Sequence, residues 1–196
     1  MIGIINYGAG NIFSLTAALT RQNIAHGMIN TIADLETYEQ IIIPGVGHAG
    51  AAMQKLTQTG MIAAILALKK PVLGICVGMQ LLSRHSEEGD VQLLNIIPLQ
   101  TKLFDKNLGI KVPHIGWNTV HFENNLLFEG VAVETQFYFV HSYFIEYNPT
   151  FGIAAVNYGN KFSAAVQKDN FYGVQFHPEK SGKAGERLLK NFSNLS

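Results

Sequence analysis

Two short strings in this chain carry residue types that can do covalent chemistry. Gly74-Ile75-Cys76-Val77-Gly78 is a GxCxG sequence between an apolar run that reads as a strand and a run that reads as a helix. Such a turn is a nucleophile elbow. It holds the nucleophile in a strained backbone conformation, and its glycines let strand and helix approach closely enough to project the side chain. Cys76 would also stand at a helix N-terminus, where free backbone donors and the dipole favour thiolate over thiol. A lone cysteine is ordinarily a small buried hydrophobe, and this is the only cysteine in the chain. The glycine pair at a strand end turns the reading toward a nucleophile.

A thiolate nucleophile needs a partner to manage protons. Gln175-Phe176-His177-Pro178-Glu179 supplies His177 after the strand-like run Tyr172 to Phe176, which Pro178 ends because proline cannot donate to a ladder. His177 and Glu179 are two apart, which in an extended segment puts both side chains on one side, so the carboxylate can orient the imidazole. Cys76, His177 and Glu179 thus form a candidate triad. His26, His48, His85 and His121 read as surface or packing residues. With neither HExxH nor clustered Cys/His spacing, no metal and no other cofactor is expected.

Attack of a thiolate on an amide passes through a tetrahedral oxyanion that needs donors. The N–H of Val77, directly after the nucleophile, is one. Pro44-Gly45-Val46-Gly47 follows the apolar run Gln40 to Ile43 at the sheet edge where a doubly wound fold places its ligand crevice. The Val46 N–H is the second candidate donor, and the flanking glycines would permit its peptide to flip. Taken alone, the segment is a plain strand-end turn. Gly8-Ala9-Gly10 invites a dinucleotide-binding reading that fails: the third glycine position is Phe13, and no acidic residue closes a second strand. Asn11 is instead a candidate helix N-cap.

The elements that must position these residues follow a βα rhythm in the N-terminal half. Ile2 to Ile5 reads as a strand, Asn11 to Arg21 as a helix, Gln40 to Ile43 as a second strand and Ala49 to Lys69 as a helical stretch. Pro71 to Ile75 is a further strand and Gly78 to His85 a further helix. This alternation predicts a parallel sheet with helices on both faces. The second half is β-rich at Thr119 to Phe122, Gln136 to Ile145, Gly152 to Val156, Ser163 to Gln167 and Tyr172 to Phe176. A helix with Ala184, Leu188, Leu189 and Phe192 on one side closes the chain.

Composition bounds the rest. At 196 residues one domain is expected. Basic and acidic residues balance at 14 each, which leaves no footprint for nucleic acid or an anionic membrane. Charged residues make up only 14% and hydrophobic residues 47%, so some apolar surface is expected to serve a partner protein. With one cysteine, no targeting pattern at the start and no apolar run near the ~20 residues of a bilayer helix, a reduced cytoplasmic setting is expected.

Together the glycine turn, GxCxGxQ and HPE resemble, in kind and order, the class I (triad) glutamine amidotransferases. Asn6-Tyr7-Gly8-Ala9-Gly10-Asn11, Pro113-His114-Ile115-Gly116-Trp117-Asn118 and Tyr138-Phe139-Val140-His141-Ser142-Tyr143 narrow the resemblance to the glutaminase subunits of imidazole glycerol phosphate synthases. It covers essentially the whole chain. It implies one amidotransferase domain over residues 1–196 with a flavodoxin-like α/β fold: a central, mostly parallel sheet flanked by helices, with additional antiparallel strands in the C-terminal half. The implied activity is hydrolysis of L-glutamine through a cysteinyl thioester, with ammonia passed to a cyclase (β/α barrel) subunit in a heterodimer of histidine biosynthesis.

The resemblance also implies roles residue by residue. Cys76 attacks, His177 transfers protons and Glu179 holds His177. Gln80, Glu88, Ser142 and Tyr143 bind the α-amino and α-carboxylate groups of glutamine, with Gly47 lining the site. Asn11, Trp117, Tyr138 and Lys180 face the cyclase, whose binding turns the Pro44 to Gly47 peptide into place. The departures are Asn6 where aspartate is common, Val77 where leucine is usual, and His48 after the oxyanion glycine. Competing readings are a triad glutaminase of another pathway, a γ-glutamyl peptidase, and a non-catalytic binding module on the same fold.

Overall fold

A computed structural model describes residues 1–196. Four strands are buried along their whole length, as apolar runs between covered sheet faces must be. They are β1 (Ile2–Ile5), β3 (Gln40–Ile43), β4 (Val72–Ile75) and, late in the chain, β14 (Phe171–Val174). A strand not read from sequence, β2 (His26–Ile29), pairs parallel with β1. Gln40–Ile43 is therefore the third strand and not the second. Helix α1 (Ile12–Arg21) buries Leu15, Ala18 and Leu19, and Asn11 caps it by accepting from the Ser14 N–H at 3.3 Å. After the single turn α2 (Asp34–Thr37) comes the stretch expected to be one helix. It is two, α3 (Ala49–Gln58) and α4 (Ile62–Ala67), separated at Gly60, whose φ is +70.

The elbow helix α5 (Val77–Leu81) is shorter than expected, because Ser83 to His85 belongs to a strand, β5 (Ser83–Ser86). Ser83 and Ser86 are wholly buried although polar; the Ser83 hydroxyl lies 2.9 Å from that of Thr101. Hydrogen bonding thus replaces the apolar inward positions that would have marked the strand. Strands β6 (Val91–Gln92) and β7 (Ile97–Leu103) follow, then β8 (His114–Thr119), β9 (His121–Phe122) and β10 (Gln136–His141). The expected strand Gln136 to Ile145 is interrupted at Ser142, and β11 (Tyr143–Ile145) lies in another sheet. Strands β12 (Gly152–Tyr158) and β13 (Asn160–Lys168) precede β14, and α6 (Gly182–Ser193) buries Leu188, Leu189 and Phe192 as its pattern requires.

These strands form three sheets. The main one has eight strands in the order β2-β1-β3-β4-β14-β13-β12-β9. It is parallel from β2 through β14 and antiparallel beyond. Strands β8 and β10 make a separate antiparallel ribbon, and β11-β7-β5-β6 make the third sheet. The buried apolar side chains form one continuous cluster of 53 residues. Strands β3, β4 and β14 are neighbours, so their C-terminal ends bring Pro44–Gly47, Cys76 and His177 to one edge.

Candidate active site

Cys76 sits between β4 and α5 with φ +54 and ψ −111, a region unfavourable to a residue with a Cβ. Two hydrogen bonds hold it there: its N–H donates to Val174 at 2.8 Å, and its carbonyl accepts from the Gln80 N–H at 3.1 Å. The glycines permit the geometry by close approach. A Cβ on Gly78 would collide with the Ile43 carbonyl, and one on Gly74 would meet the backbone of Gly78. The strain expected of an elbow is present, and neighbouring backbone enforces it.

His177 follows β14, and Pro178–Lys180 form a 3-10 turn. The pair expected on one side of an extended segment therefore meets across a tight turn. The contact is made all the same: Nδ1 of His177 lies 2.7 Å from Oε1 of Glu179, with both side chains nearly sealed from solvent. Because the carboxylate accepts, Nδ1 carries the proton and Nε2 is the atom available to the cysteine.

Burial alone would lower the His177 pKa, but hydrogen bonding and negative charge from Cys76 and Glu179 outweigh it and raise the value to about 10. The resting state this favours for His177 is the imidazolium. His177 Nε2 is buried with no hydrogen-bond partner. Its neighbour there is Cys76, whose contact is among the causes that raise the His177 pKa.

Beside the cysteine runs Pro44–Gly47. The Pro44 carbonyl accepts from the buried Tyr7 hydroxyl at 2.5 Å, and Gly45 is pressed against the backbone of Val77 and Gly78. The second half of the segment is free by comparison. Val46 is 41% exposed, its N–H makes no hydrogen bond within the chain, and Gly47 takes φ +85 with open space where a side chain would be. Val77 begins α5 and so presents its N–H at a helix N-terminus. Burial and the negative charge of Cys76 both raise the pKa of Tyr7, keeping it a donor.

A cleft of about 570 Å³ joins these groups, a size typical of small-molecule sites. Of the residues expected to bind substrate, Gly47, Gln80, Glu88, Ser142 and Tyr143 all line it, with Cys76, Val46, Val77 and His177. Glu179 lies behind His177 and does not.

Gln80 is already committed in part. Its Nε2 donates to the Tyr143 carbonyl at 2.9 Å and to Gln175 Oε1 at 3.1 Å, leaving only Oε1 for a ligand. Glu88 carries a second duty the sequence did not suggest. Its Oε2 accepts from the Ala49 N–H at 2.6 Å, at the start of the helix that His48 caps through the Gly50 N–H, while Oε1 has no partner in the chain.

The residues expected to face a partner gather on one rim. Trp117 is 53% exposed and meets Tyr138 edge-on, with ring centroids 6.0 Å apart; the Lys180 ammonium lies 5.9 Å from the Tyr138 ring centre. Asn11 and Lys180 also line the cleft, whereas Trp117 and Tyr138 stand outside it. Trp117 is thus not a core residue. Ile115, on the same strand, is 59% exposed.

Sequence reasoning passed over four residues here. Gln175, fully buried, places Nε2 3.7 Å from the Cys76 sulfur; its signal was its position two residues before His177. Tyr7, His114 and His141 stood in quoted strings, but only the fold reveals what they touch. No group of three or more His, Cys, Asp or Glu is placed to hold a metal ion.

The chain is similar to known proteins along nearly its whole length. The family model described as glutamine amidotransferase class-I matches residues 4–195. A Bacteroides thetaiotaomicron protein named imidazole glycerol phosphate synthase subunit HisH is 47% identical over 195 residues, covering 99% of each chain. A Salmonella typhimurium protein of the same name is also 47% identical over 195 residues, covering 98% of each. Among solved structures, a glutamine amidotransferase superposes with TM-score 0.74 at 17% identity, covering 97% of this chain and 96% of that one. PurLQS from Thermotoga maritima does so with TM-score 0.72 at 19% identity, covering 98% and 97%. With an elbow cysteine, an HPE histidine and a family model that spans nearly every residue, the chain belongs to the class-I glutamine amidotransferase family.

Proposed function

We propose that this protein is the glutaminase subunit of an imidazole glycerol phosphate synthase, supplying ammonia for histidine biosynthesis. One observation carries the catalytic part: Cys76, held at positive φ, shares a cleft with a His177 whose far nitrogen is fixed by Glu179. The full-length likeness to proteins named HisH supports the pathway.

The chemistry follows from the geometry. The Cys76 thiolate adds to the carboxamide carbon of glutamine, and negative charge moves to the former carbonyl oxygen. The N–H groups of Val46 and Val77 would hold that oxyanion. His177 gives its Nε2 proton to the departing amine, so ammonia leaves as the C–N bond breaks and a thioester remains. A water then adds to the thioester carbon while His177 takes its proton, and collapse returns the thiolate and releases glutamate. Glu88 Oε1 and Gln80 Oε1 are acceptors suited to the α-ammonium, and Ser142 and Tyr143, which line the same cleft, would hold the α-carboxylate.

Trp117, Tyr138, Lys180 and Asn11 are the proposed contacts to a cyclase of β/α-barrel form, in a cytoplasmic heterodimer, and residues 1–196 act as one amidotransferase domain. The exposed Val46 peptide is the element the partner would turn. Glutamate release is the test, measured with the purified chain alone and with a cyclase subunit plus its nucleotide ligand, against Cys76→Ala. Strong stimulation that vanishes in the variant is expected. Activity unchanged by Cys76→Ala would overturn the triad, and full activity of the chain alone would overturn the gating.

A further inference from the structure

The ribbon of β8 and β10 sets His114 directly opposite His141, and the two imidazoles touch: Nδ1 of His114 is 3.0 Å from Nε2 of His141. Both are buried, at 3% and 6% exposure, among Phe104, Phe139, Phe162 and Tyr158. Each remaining ring nitrogen also has a partner. His141 Nδ1 lies 2.8 Å from the Tyr143 carbonyl, and His114 Nε2 lies 3.2 Å from Nδ2 of Asn118.

The donors can be assigned from both ends. A carbonyl only accepts, so His141 carries its proton on Nδ1 and offers a lone pair at Nε2. His114 must then donate from Nδ1 and accept at Nε2. At the other end the Thr119 N–H donates to Asn118 Oδ1 at 2.8 Å, which fixes the amide with its nitrogen toward His114. The two ends give the same answer. Both rings are neutral Nδ1–H tautomers, the form a histidine side chain in water disfavours. Burial lowers the His114 pKa to about 4 and, as the main cause, that of His141 to about 3, consistent with two uncharged rings.

The line of hydrogen bonds continues into the cleft. The Tyr143 carbonyl also accepts from Gln80 Nε2, which donates in turn to Gln175 Oε1, and Gln175 Nε2 reaches the Cys76 sulfur. At its outer end Asn118 is the neighbour of exposed Trp117. We propose that His114 and His141 are positioning residues, a paired-imidazole relay of fixed tautomer. It ties strand β8 to the Tyr143 carbonyl and, through Gln80 and Gln175, to the surroundings of Cys76. Its kinetic consequence rests on the glutaminase reading, whereas its tautomers do not.

The relay reaches the proposed glutamine cleft through His141, which lines it from β10, and leaves the triad intact, so its loss falls on KM. Long-range proton–nitrogen correlation on 15N-histidine-labelled protein at neutral pH should place the proton on Nδ1 of both rings. In the complex with cyclase subunit and its ligand, His114→Phe should raise KM for glutamine about tenfold with kcat within about threefold. His114→Asn, whose amide nitrogen can replace the Nδ1 donor, should recover most of that loss. An Nε2–H signal from either ring, or an unchanged KM in folded His114→Phe, overturns the relay. Should the protein release no glutamate at all, the glutaminase reading fails while the tautomers still decide the relay.

Discussion

The His177 N–H donates to the Tyr138 carbonyl at 2.9 Å, so the histidine of the site hangs directly from the strand that carries the rim tyrosine. Ser181 closes the arrangement. Its hydroxyl donates to the His177 carbonyl at 2.7 Å and accepts from the Tyr138 N–H at 3.0 Å. Any force on Tyr138 is therefore felt at His177 through one direct backbone hydrogen bond and one bridging side chain. Ser181→Ala would leave the Tyr138 N–H unpaired, while the His177 carbonyl would keep only the Lys180 N–H at 3.0 Å, at a cost of about 1–3 kcal/mol. Urea denaturation should show that loss, and kcat should fall with it. An unaltered kcat in the folded variant would mean that this clamp does not set the histidine.

Trp117→Ala tests the rim. More than half of the tryptophan surface is already in solvent, so its removal should change the melting temperature of the isolated chain little. If it anchors the cyclase, affinity should drop by more than tenfold, the ~2 kcal/mol or more of an aromatic hot spot. Titration calorimetry of the two subunits separates these effects. Lost stability with unchanged affinity would return Trp117 to a packing role.

The Tyr7 hydroxyl fixes the Pro44 carbonyl at the root of the proposed oxyanion segment while Val46 and Gly47 remain free. Tyr7→Phe removes only the oxygen. A fall in kcat of about tenfold with KM nearly constant is expected, since one lost hydrogen bond would misplace a donor used in the transition state. A fall in stability with kcat unchanged would contradict it.

Acid should expose the buried imidazole pair. Both folded-state pKa values lie below the ordinary ~6.5 of histidine. Above that value the rings are neutral in folded and unfolded chains alike, and their stabilising contribution is fully present. As pH falls from about 6.5 toward 4, only the unfolded chain takes up these protons, so each ring removes up to ~1.4 kcal/mol of stability per pH unit. His177 is shifted the other way, so its contribution is complete below ~6.5 and is lost only as pH rises toward about 10. Chemical denaturation between pH 7 and pH 4.5 should show the acid slope, shallower in His141→Asn. Equal slopes in both proteins would mean that His141 titrates normally.

Much of this site was legible in the sequence because its chemistry is local. An elbow needs glycines two residues either side of the nucleophile, and an orienting carboxylate two residues from its histidine leaves the same kind of mark. Strands β1, β3, β4 and β14, buried on both faces, appear as unbroken apolar runs. What escaped depends on distant pairing. Strand β5 hides its inward positions as serines that find Thr101, and the strand expected through Ile145 breaks at Ser142 because its two parts belong to different sheets. His114 and His141 lie 27 positions apart and meet only through the register of β8 and β10. Glu88 could be placed near the ligand from the resemblance, but its bond to the Ala49 N–H could not, since that requires the fold.

The chain has a single thiol, and it is the one at the elbow. Oxidation of Cys76 to a sulfenic acid would find no second cysteine in the chain to trap it as a disulfide, so repair must come from an external thiol before further, irreversible oxygen addition. The same solitude is an experimental convenience: each mole of thiol reagent consumed counts one mole of reduced Cys76, so the oxidised fraction of any preparation can be titrated without measuring a rate.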